Sequence, residues 1–145
     1  MKKGHTQIGK TVSIIRKIRE TDLEKFAELS LDRNAVHFNE KFAVKTLFGN
    51  RIAHGMLGAS LMSGALTKLL GDGNIWLFAK INYDKPIFIG DTLTCKLTIE
   101  DIDRRGIATL LASIQNDNGI QVISGELRSM RCCTAVSPQF RDTLK

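Results

Sequence analysis

Residues 55–70 read GMLGASLMSGALTKLL, and this stretch decides the fold. Its apolar side chains fall on almost every side of a helix, and such a helix is normally buried by other elements. Gly58 and Gly64 each cost about 1 kcal/mol relative to alanine in a helix interior. The close approach of a sheet, a partner backbone or a ligand would explain why they are tolerated. The stretch therefore predicts a central helix that ends at Gly71 and is enclosed by the remaining chain.

The segments around this helix have the period of β-strands. Leu93, Cys95, Leu97 and Ile99 alternate with polar residues, which is the pattern of a half-buried strand. The predicted strands cover residues 11–18, 76–83, 93–99, 107–115 and 120–132, with Asn118-Gly119 as a hairpin turn. An antiparallel sheet encloses so apolar a helix only by wrapping around it, which predicts an α+β hot-dog fold. We expect one domain over residues 1–145, with residues 134–145 as a loose tail.

A short helix is predicted between the first strand and the central helix, with Thr21 as its N-cap and Glu24 at position N3. It leads into residues 30–37, which contain Asp32, Asn34 and His37. In a continuous helix Asp32 and His37 would lie roughly 140° apart around the axis, so they could not converge on one ligand. The turn-forming composition of residues 32–34 predicts a bend instead, which can bring the two side chains together.

Composition and charge exclude several classes of protein. The chain has 145 residues and 43% hydrophobic residues, and none of its apolar runs approaches the roughly 20 residues of a membrane span. A net charge of +6 accompanies only 6% aromatic residues, without the interleaved basic and aromatic residues of RNA-binding surfaces. Three cysteines without a CxxC pair indicate reduced thiols rather than disulfides or a zinc site. From these observations together we expect a cytoplasmic protein that binds neither nucleic acid nor membrane.

Three blocks of the chain resemble a known family. Residues 26–37, FAELSLDRNAVH, resemble the hydratase motif of R-specific enoyl-CoA hydratases and MaoC-like dehydratases. Residues 48–57, FGNRIAHGML, resemble the second signature of that family, and residues 86–91, PIFIGD, resemble a third. The family usually has glycine where this chain has Leu31 and proline where it has Ala35, so we expect the backbone of the loop to differ here.

The resemblance implies a hot-dog homodimer that acts on acyl thioesters carried by coenzyme A or acyl carrier protein. The implied enzyme is a hydro-lyase of fatty acid or polyhydroxyalkanoate metabolism, which hydrates trans-2-enoyl thioesters to (R)-3-hydroxyacyl thioesters and catalyses the reverse dehydration. Asp32 and His37 are then the catalytic pair, Gly55 supplies a backbone N–H to the thioester carbonyl, and Ser63 lies beside the pair on the central helix.

The residues themselves allow this chemistry without a metal or a redox cofactor. Asp32 can take a proton from water and His37 can protonate Cα, while the N–H of Gly55 at a helix N-terminus favours the developing negative charge. Asn34 is expected to fix the loop or the water. His54 is expected to hold the start of the central helix as a structural residue.

Two other functions are compatible with the sequence. One is a 3-hydroxyacyl-[acyl-carrier-protein] dehydratase of fatty acid synthesis, and the other is a non-catalytic module that binds acyl thioesters. Hot-dog thioesterases and the other dehydratase branch commonly place an aspartate or glutamate on the central helix. Residues 55–70 contain neither, which disfavours both of those classes.

Overall fold

The computed structural model describes residues 7–131, which form one antiparallel sheet folded around a helix. The five strands are β1 (Thr11–Lys17), β2 (Asn74–Tyr83), β3 (Thr92–Ile102), β4 (Ala108–Gln115) and β5 (Gln121–Arg131). The helices are α1 (Glu20–Ser30), α2 (Ala35–Phe38), α3 (Glu40–Ala43), α4 (Gly55–Ala59) and α5 (Leu61–Leu70). The strands lie in the order β1-β3-β4-β5-β2, and every neighbouring pair is antiparallel. The predicted hot-dog fold is confirmed.

The core lies between the concave face of the sheet and the central helix. Met62 and Leu66 of α5 are fully buried against inward-facing residues of β3 and β4, such as Leu97 and Leu110. The inward residues alternate along β3 with half-buried or exposed ones, as the sequence pattern predicts. The sheet therefore covers the apolar side of the central helix.

The central helix is divided, where the sequence predicts one continuous element. Ser60 separates α4 from α5 but keeps helical dihedral angles, and its side-chain hydroxyl donates to the carbonyl of Leu57 at 2.6 Å. A Cβ atom on Gly58 would collide with the terminal methyl group of Ile87 and lie 3.1 Å from that of Ile123, so a larger residue would displace buried side chains there. A Cβ atom on Gly64 would meet only Ile14 at an ordinary 3.6 Å. Close packing therefore explains one of the two glycines.

Helix α1 begins one residue before the predicted N-cap. It starts at Glu20, and the backbone N–H of Arg19 donates to the carboxylate of Asp22 at 2.9 Å. Arg16 on β1 forms an ion pair with the same carboxylate at 2.6 Å. The predicted cap with Thr21 and Glu24 is wrong, because this contact with β1 favours Asp22 as the acceptor.

Leu31 follows α1 in the left-handed conformation, with φ 63° and ψ 13°. The expected change of backbone at this residue is therefore wrong, because Leu31 adopts the conformation that glycine favours. Ala35 is the first residue of α2, a position that also accepts proline. Both departures from the family pattern leave a backbone that the usual residues could also adopt.

Replacement of Leu31 by glycine is expected to raise the free energy of unfolding by about 0.5–1 kcal/mol. A left-handed conformation costs an L-residue roughly 1–2 kcal/mol, which exceeds the entropy cost of adding a glycine. Leu31 is 85% exposed, so little buried surface is lost. Urea denaturation measures the change. Leu29→Gly is the matched control, since Leu29 is equally exposed but helical, and this variant should lose about 1 kcal/mol of stability. A loss of stability in Leu31→Gly as well would show that the backbone of Leu31 is not strained.

Two expectations concern the ends and the cysteines. Cys95 is buried on β3 as a free thiol, and burial raises its pKa to about 12. Cys132, Cys133 and the predicted tail over residues 134–145 lie outside the described residues. Within residues 7–131, none of the helices has the length and apolar character needed to cross a membrane.

Candidate functional site

The bend between α1 and α2 presents Asp32 to solvent. One oxygen of its carboxylate, Oδ1, accepts the backbone N–H of Asn34 at 3.1 Å. The side-chain oxygen of Asn34 in turn accepts the N–H of Val36 at 3.2 Å and caps α2. These two contacts fix the loop, so Asn34 acts on the backbone around Asp32. The second oxygen of Asp32 has no hydrogen-bond partner among residues 7–131 and is free to meet a ligand.

Helix α2 places His37 in a buried position next to this bend. Its ring nitrogen Nδ1 lies 2.8 Å from the carbonyl oxygen of Ile52. Because a carbonyl only accepts, Nδ1 carries a hydrogen and the opposite nitrogen, Nε2, is left to react. Burial of the ring lowers the pKa of His37 below its usual value, while the bond to Ile52 opposes that change.

His54 completes a polar cluster with these two residues. One oxygen of Asp32 and one ring nitrogen of each histidine lie within 4.8 Å of one another. The rings of His37 and His54 stack, with their centroids 3.8 Å apart and an angle of 32° between their planes. The bend therefore brings Asp32 and His37 together as the spacing predicts, and it adds a second imidazole to them.

A cavity of about 620 Å³ is lined by residues from 47–56 and 83–87, and Asp32, His37 and His54 are not among its lining residues. Ile52, whose carbonyl anchors His37, lies in its wall next to Gly55. Gly55 is the first residue of α4, so its N–H has no acceptor within the helix. The other lining residues, which are mostly apolar, are Leu47, Phe48, Ala53, Met56, Tyr83, Asp84, Lys85, Pro86 and Ile87.

Ser63 lies apart from the cluster in a single chain. It is on the exposed side of α5, and its hydroxyl forms no hydrogen bond with any residue from 7 to 131. Its carbonyl accepts the hydroxyl of Thr67 at 3.4 Å. The fold does not bring this residue into the group of Asp32, His37 and His54.

Sequence reasoning missed two residues that shape the site. Arg51 donates through Nε to the carbonyl of His37 at 2.6 Å and pairs with Glu20 on α1. The ring of Tyr83 on β2 lies against Gly55, where a Cβ atom would come within 2.7 Å of it. Arg51 lies within residues 48–57, which resemble the second family signature, so the sequence did contain a signal for this residue. Nothing in the sequence connects Tyr83 with Gly55, because their contact depends on how the sheet wraps.

The lowered pKa of His37 predicts how stability changes with pH. An unfolded histidine titrates near pH 6.5, so below this pH the unfolded chain binds more protons at this position than the folded protein does. The contribution of neutral His37 is complete above about pH 6.5 and is lost as the pH falls toward the folded pKa. Asp32, Arg51 and His54 are the charged or titratable groups that act on it.

We therefore expect the free energy of unfolding to fall more between about pH 7 and pH 5 in the wild type than in His37→Gln. Urea denaturation of both proteins across this range measures the difference. The other titratable groups are the same in both proteins, so their contributions cancel in the comparison. Equal slopes would show that the folded protein leaves the pKa of His37 unchanged.

Known proteins were compared with the chain and its fold. The family model described as "MaoC like domain" matches residues 4–116. An (R)-specific enoyl-CoA hydratase from Rhodospirillum rubrum is 42% identical over 92 residues, which are 63% of this chain and 64% of that protein. The chain thus covers less than two thirds of that relative's length. An (R)-specific enoyl-CoA hydratase from Aeromonas caviae is 34% identical over 83% of this chain and 91% of its own.

A solved structure agrees with this assignment. The (R)-hydratase from A. caviae involved in PHA biosynthesis superposes with a TM-score of 0.83 and 32% identity, and the match covers 88% of this chain and 98% of that one. The chain therefore belongs to the family of MaoC-like dehydratase domains.

Proposed function

We propose that this protein adds water to trans-2-enoyl thioesters to give (R)-3-hydroxyacyl thioesters, and that it catalyses the reverse dehydration. The observation that carries the proposal is the proximity of Asp32 and His37, together with the bond of His37 to Ile52, which lines an apolar cavity with Gly55. A volume of about 620 Å³ is in the usual range for a small-molecule site. Family membership and the (R)-hydratase relatives support the reaction class.

Each group has a chemical task in this reaction. The free oxygen of Asp32 takes a proton from water as the hydroxyl adds to Cβ. His37 reacts in its protonated form, in which Nδ1–H stays on the carbonyl of Ile52 and Nε2 gives its proton to Cα. The lowered pKa of His37 makes this form a stronger acid and a smaller fraction of the protein. The proton that Asp32 gained then passes to Nε2 of His37, which restores the starting state of the pair.

In this proposal the N–H of Gly55 stabilises the thioester oxygen. Negative charge develops on that oxygen as the hydroxyl adds, and a fixed donor at a helix start favours it without reorganisation. A larger residue at this position would also move the ring of Tyr83. We assign Asn34 to the loop rather than to the substrate. We keep Ser63 as a candidate contact for the acyl chain only if a second chain or the bound substrate reaches the exposed side of α5.

The pair needs no metal ion in this proposal. Asp32, His37 and His54 are close enough together to suit a cation, but neither nitrogen of His54 is open to one. Nε2 bonds to the carbonyl of Asp32 at 3.0 Å, and Nδ1 is enclosed. A metal ion would have to break the bond of Nε2 or reach the enclosed Nδ1. We therefore assign acid–base chemistry to the protein's own side chains.

The direct test is the loss of enoyl absorbance when purified protein is mixed with crotonyl-CoA. We expect loss with a short or medium enoyl-CoA and an (R)-3-hydroxyacyl product on chiral analysis. The same series on acyl carrier protein decides between the two carriers. Binding of acyl thioesters without turnover would favour the non-catalytic module, and no change with any chain length would remove the hydratase proposal.

We further propose a homodimer, formed through the edge strand β2, that acts in the cytoplasm. One edge of β2 has no partner strand among residues 7–131, and its apolar side chains are exposed on both faces. Ile75, Leu77, Phe78 and Tyr83 are 45%, 44%, 47% and 52% exposed. An unpaired apolar edge is a site for pairing with another chain. The free thiol of Cys95 suits the reducing cytoplasm.

Replacement of Leu77 by lysine is expected to convert the dimer to a monomer, because a charge would be buried at the β2 contact. Light scattering coupled to gel filtration measures the mass. Leu111→Lys is the matched control, since Leu111 is 48% exposed but lies on the interior strand β4. A wild-type monomer, or equal dissociation of both variants, would exclude the β2 interface.

A further inference from the structure

His54 lies behind both proposed catalytic residues and contacts each of them. Its side chain is 2% exposed. Its nitrogen Nε2 lies 3.0 Å from the backbone carbonyl of Asp32, and its ring stacks on that of His37 at 3.8 Å. Phe26 packs on His54 with a centroid distance of 4.9 Å, and Phe38 approaches at 5.8 Å. The ring of His54 is thus packed against aromatic side chains and makes one polar contact.

The polar contact fixes the tautomer of His54. The carbonyl of Asp32 can only accept, so Nε2 carries the hydrogen and neutral Nδ1 does not. Nδ1 is buried and has no hydrogen-bond partner among the residues described. A buried acceptor left without a partner costs free energy, so its retention points to a role for the other nitrogen.

His54 stands at the start of α4, as the sequence predicts. It is the N-cap residue, and its carbonyl accepts the N–H groups of Leu57 and Gly58 at 3.1 and 3.4 Å. Its side chain makes no hydrogen bond to the helix backbone. The one side-chain bond runs 22 residues back along the chain, to the loop that carries Asp32, and nothing in the sequence indicates this second contact.

We propose that His54 is a positioning residue that holds the Asp32 loop at a fixed distance from His37 through its Nε2–H bond to the Asp32 carbonyl. This inference rests on the proposed function of Asp32 and His37. Asp32 is exposed, and its carboxylate is restrained by the loop contact with Asn34. Without His54 the carbonyl of Asp32 could turn to water, and the carboxylate would lose its place relative to the imidazole.

Two substitutions separate the hydrogen bond from the ring. His54→Phe keeps an aromatic ring between Phe26 and His37 but removes the N–H. His54→Gln removes the ring but places an amide N–H where Nε2 stood. We expect kcat of the phenylalanine variant to fall by roughly 10- to 100-fold with KM nearly unchanged, since a small misplacement of a catalytic group has an effect of this size. We expect the glutamine variant to recover most of that loss.

Ser129→Ala is the matched control. The hydroxyl of Ser129, which is buried like His54, donates to the carbonyl of Ile75 at 2.9 Å, so the substitution also removes a side-chain bond to a backbone carbonyl. It contacts neither Asp32 nor His37, and its kcat should equal that of the wild type. A wild-type kcat in His54→Phe, or equal losses in the phenylalanine and glutamine variants, would overturn the proposal.

Nitrogen-15 NMR of the wild type gives a test that needs neither turnover nor a folded variant. At about pH 8 we expect His54 to carry its hydrogen on Nε2, with a coupling across the bond to the carbonyl of Asp32. A hydrogen on Nδ1 would overturn the proposal even if all variants were unstable. Absence of hydratase activity together with the Nε2–H tautomer would reject the proposed function but keep the contact.

Discussion

Replacement of Asp32 by asparagine is expected to reduce kcat for enoyl-CoA hydration by roughly 10²–10⁴-fold. Asparagine has the same size and keeps the oxygen that accepts the N–H of Asn34 at 3.1 Å, so the bend should remain. It cannot accept the proton of the attacking water. The loss should therefore appear in kcat, with KM changed only a few-fold. Steady-state rates with crotonyl-CoA measure it, and urea denaturation checks the fold.

Glu28→Gln is the control for the change of charge. Glu28 is an exposed carboxylate on α1, four residues before Asp32, and it forms no ion pair within residues 7–131. Its loss changes the net charge by the same amount without touching the cluster, and we expect a wild-type rate. Equal rates for Asp32→Asn and the wild type would remove Asp32 from the chemistry.

The fold could be predicted because one signal dominates it. The apolar surface of residues 55–70 can be buried only by a sheet that wraps around it, and Leu66 and Leu97 are both buried in the resulting core. The bend at Asp32 was also predictable, since helical spacing keeps Asp32 and His37 apart. Both inferences depend on local sequence and on burial, which a single sequence contains.

Other features depend on contacts between distant segments, which the sequence does not display. At the start of α1 the carboxylate of Asp22 accepts the N–H of Arg19 and pairs with Arg16 on β1. The local sequence pattern alone favoured Thr21 as the N-cap. The contact of His54 with the Asp32 loop also arises only in the folded chain. Leu31 shows a further limit, since its side chain gives no indication of a left-handed backbone.

Replacement of His37 by asparagine is the companion test, and we expect kcat to fall by roughly 10²–10⁴-fold here too. The amide nitrogen of asparagine can take the place of Nδ1 and donate to the carbonyl of Ile52, which His37 contacts at 2.8 Å. Nothing then replaces Nε2, which is the nitrogen assigned to the substrate in the proposed reaction. The variant thus separates the anchor of the ring from its reacting atom.

His37→Ala supplies the comparison, because it removes the anchor as well as the reacting nitrogen. We expect the alanine variant to be less stable than the asparagine variant in urea denaturation but equally slow. A much faster asparagine variant would show that anchoring, and not proton transfer by Nε2, is what His37 contributes.

Combining Asp32→Asn with His37→Asn then tests whether the two residues act as one unit. If Asp32 takes a proton from water while His37 gives one to Cα, removal of either group stops the same step. The second substitution should then cost little beyond the first, since groups that act together are strongly non-additive. Fully multiplicative losses would instead mean that Asp32 and His37 act in separate steps, although their side-chain atoms lie within 4.8 Å.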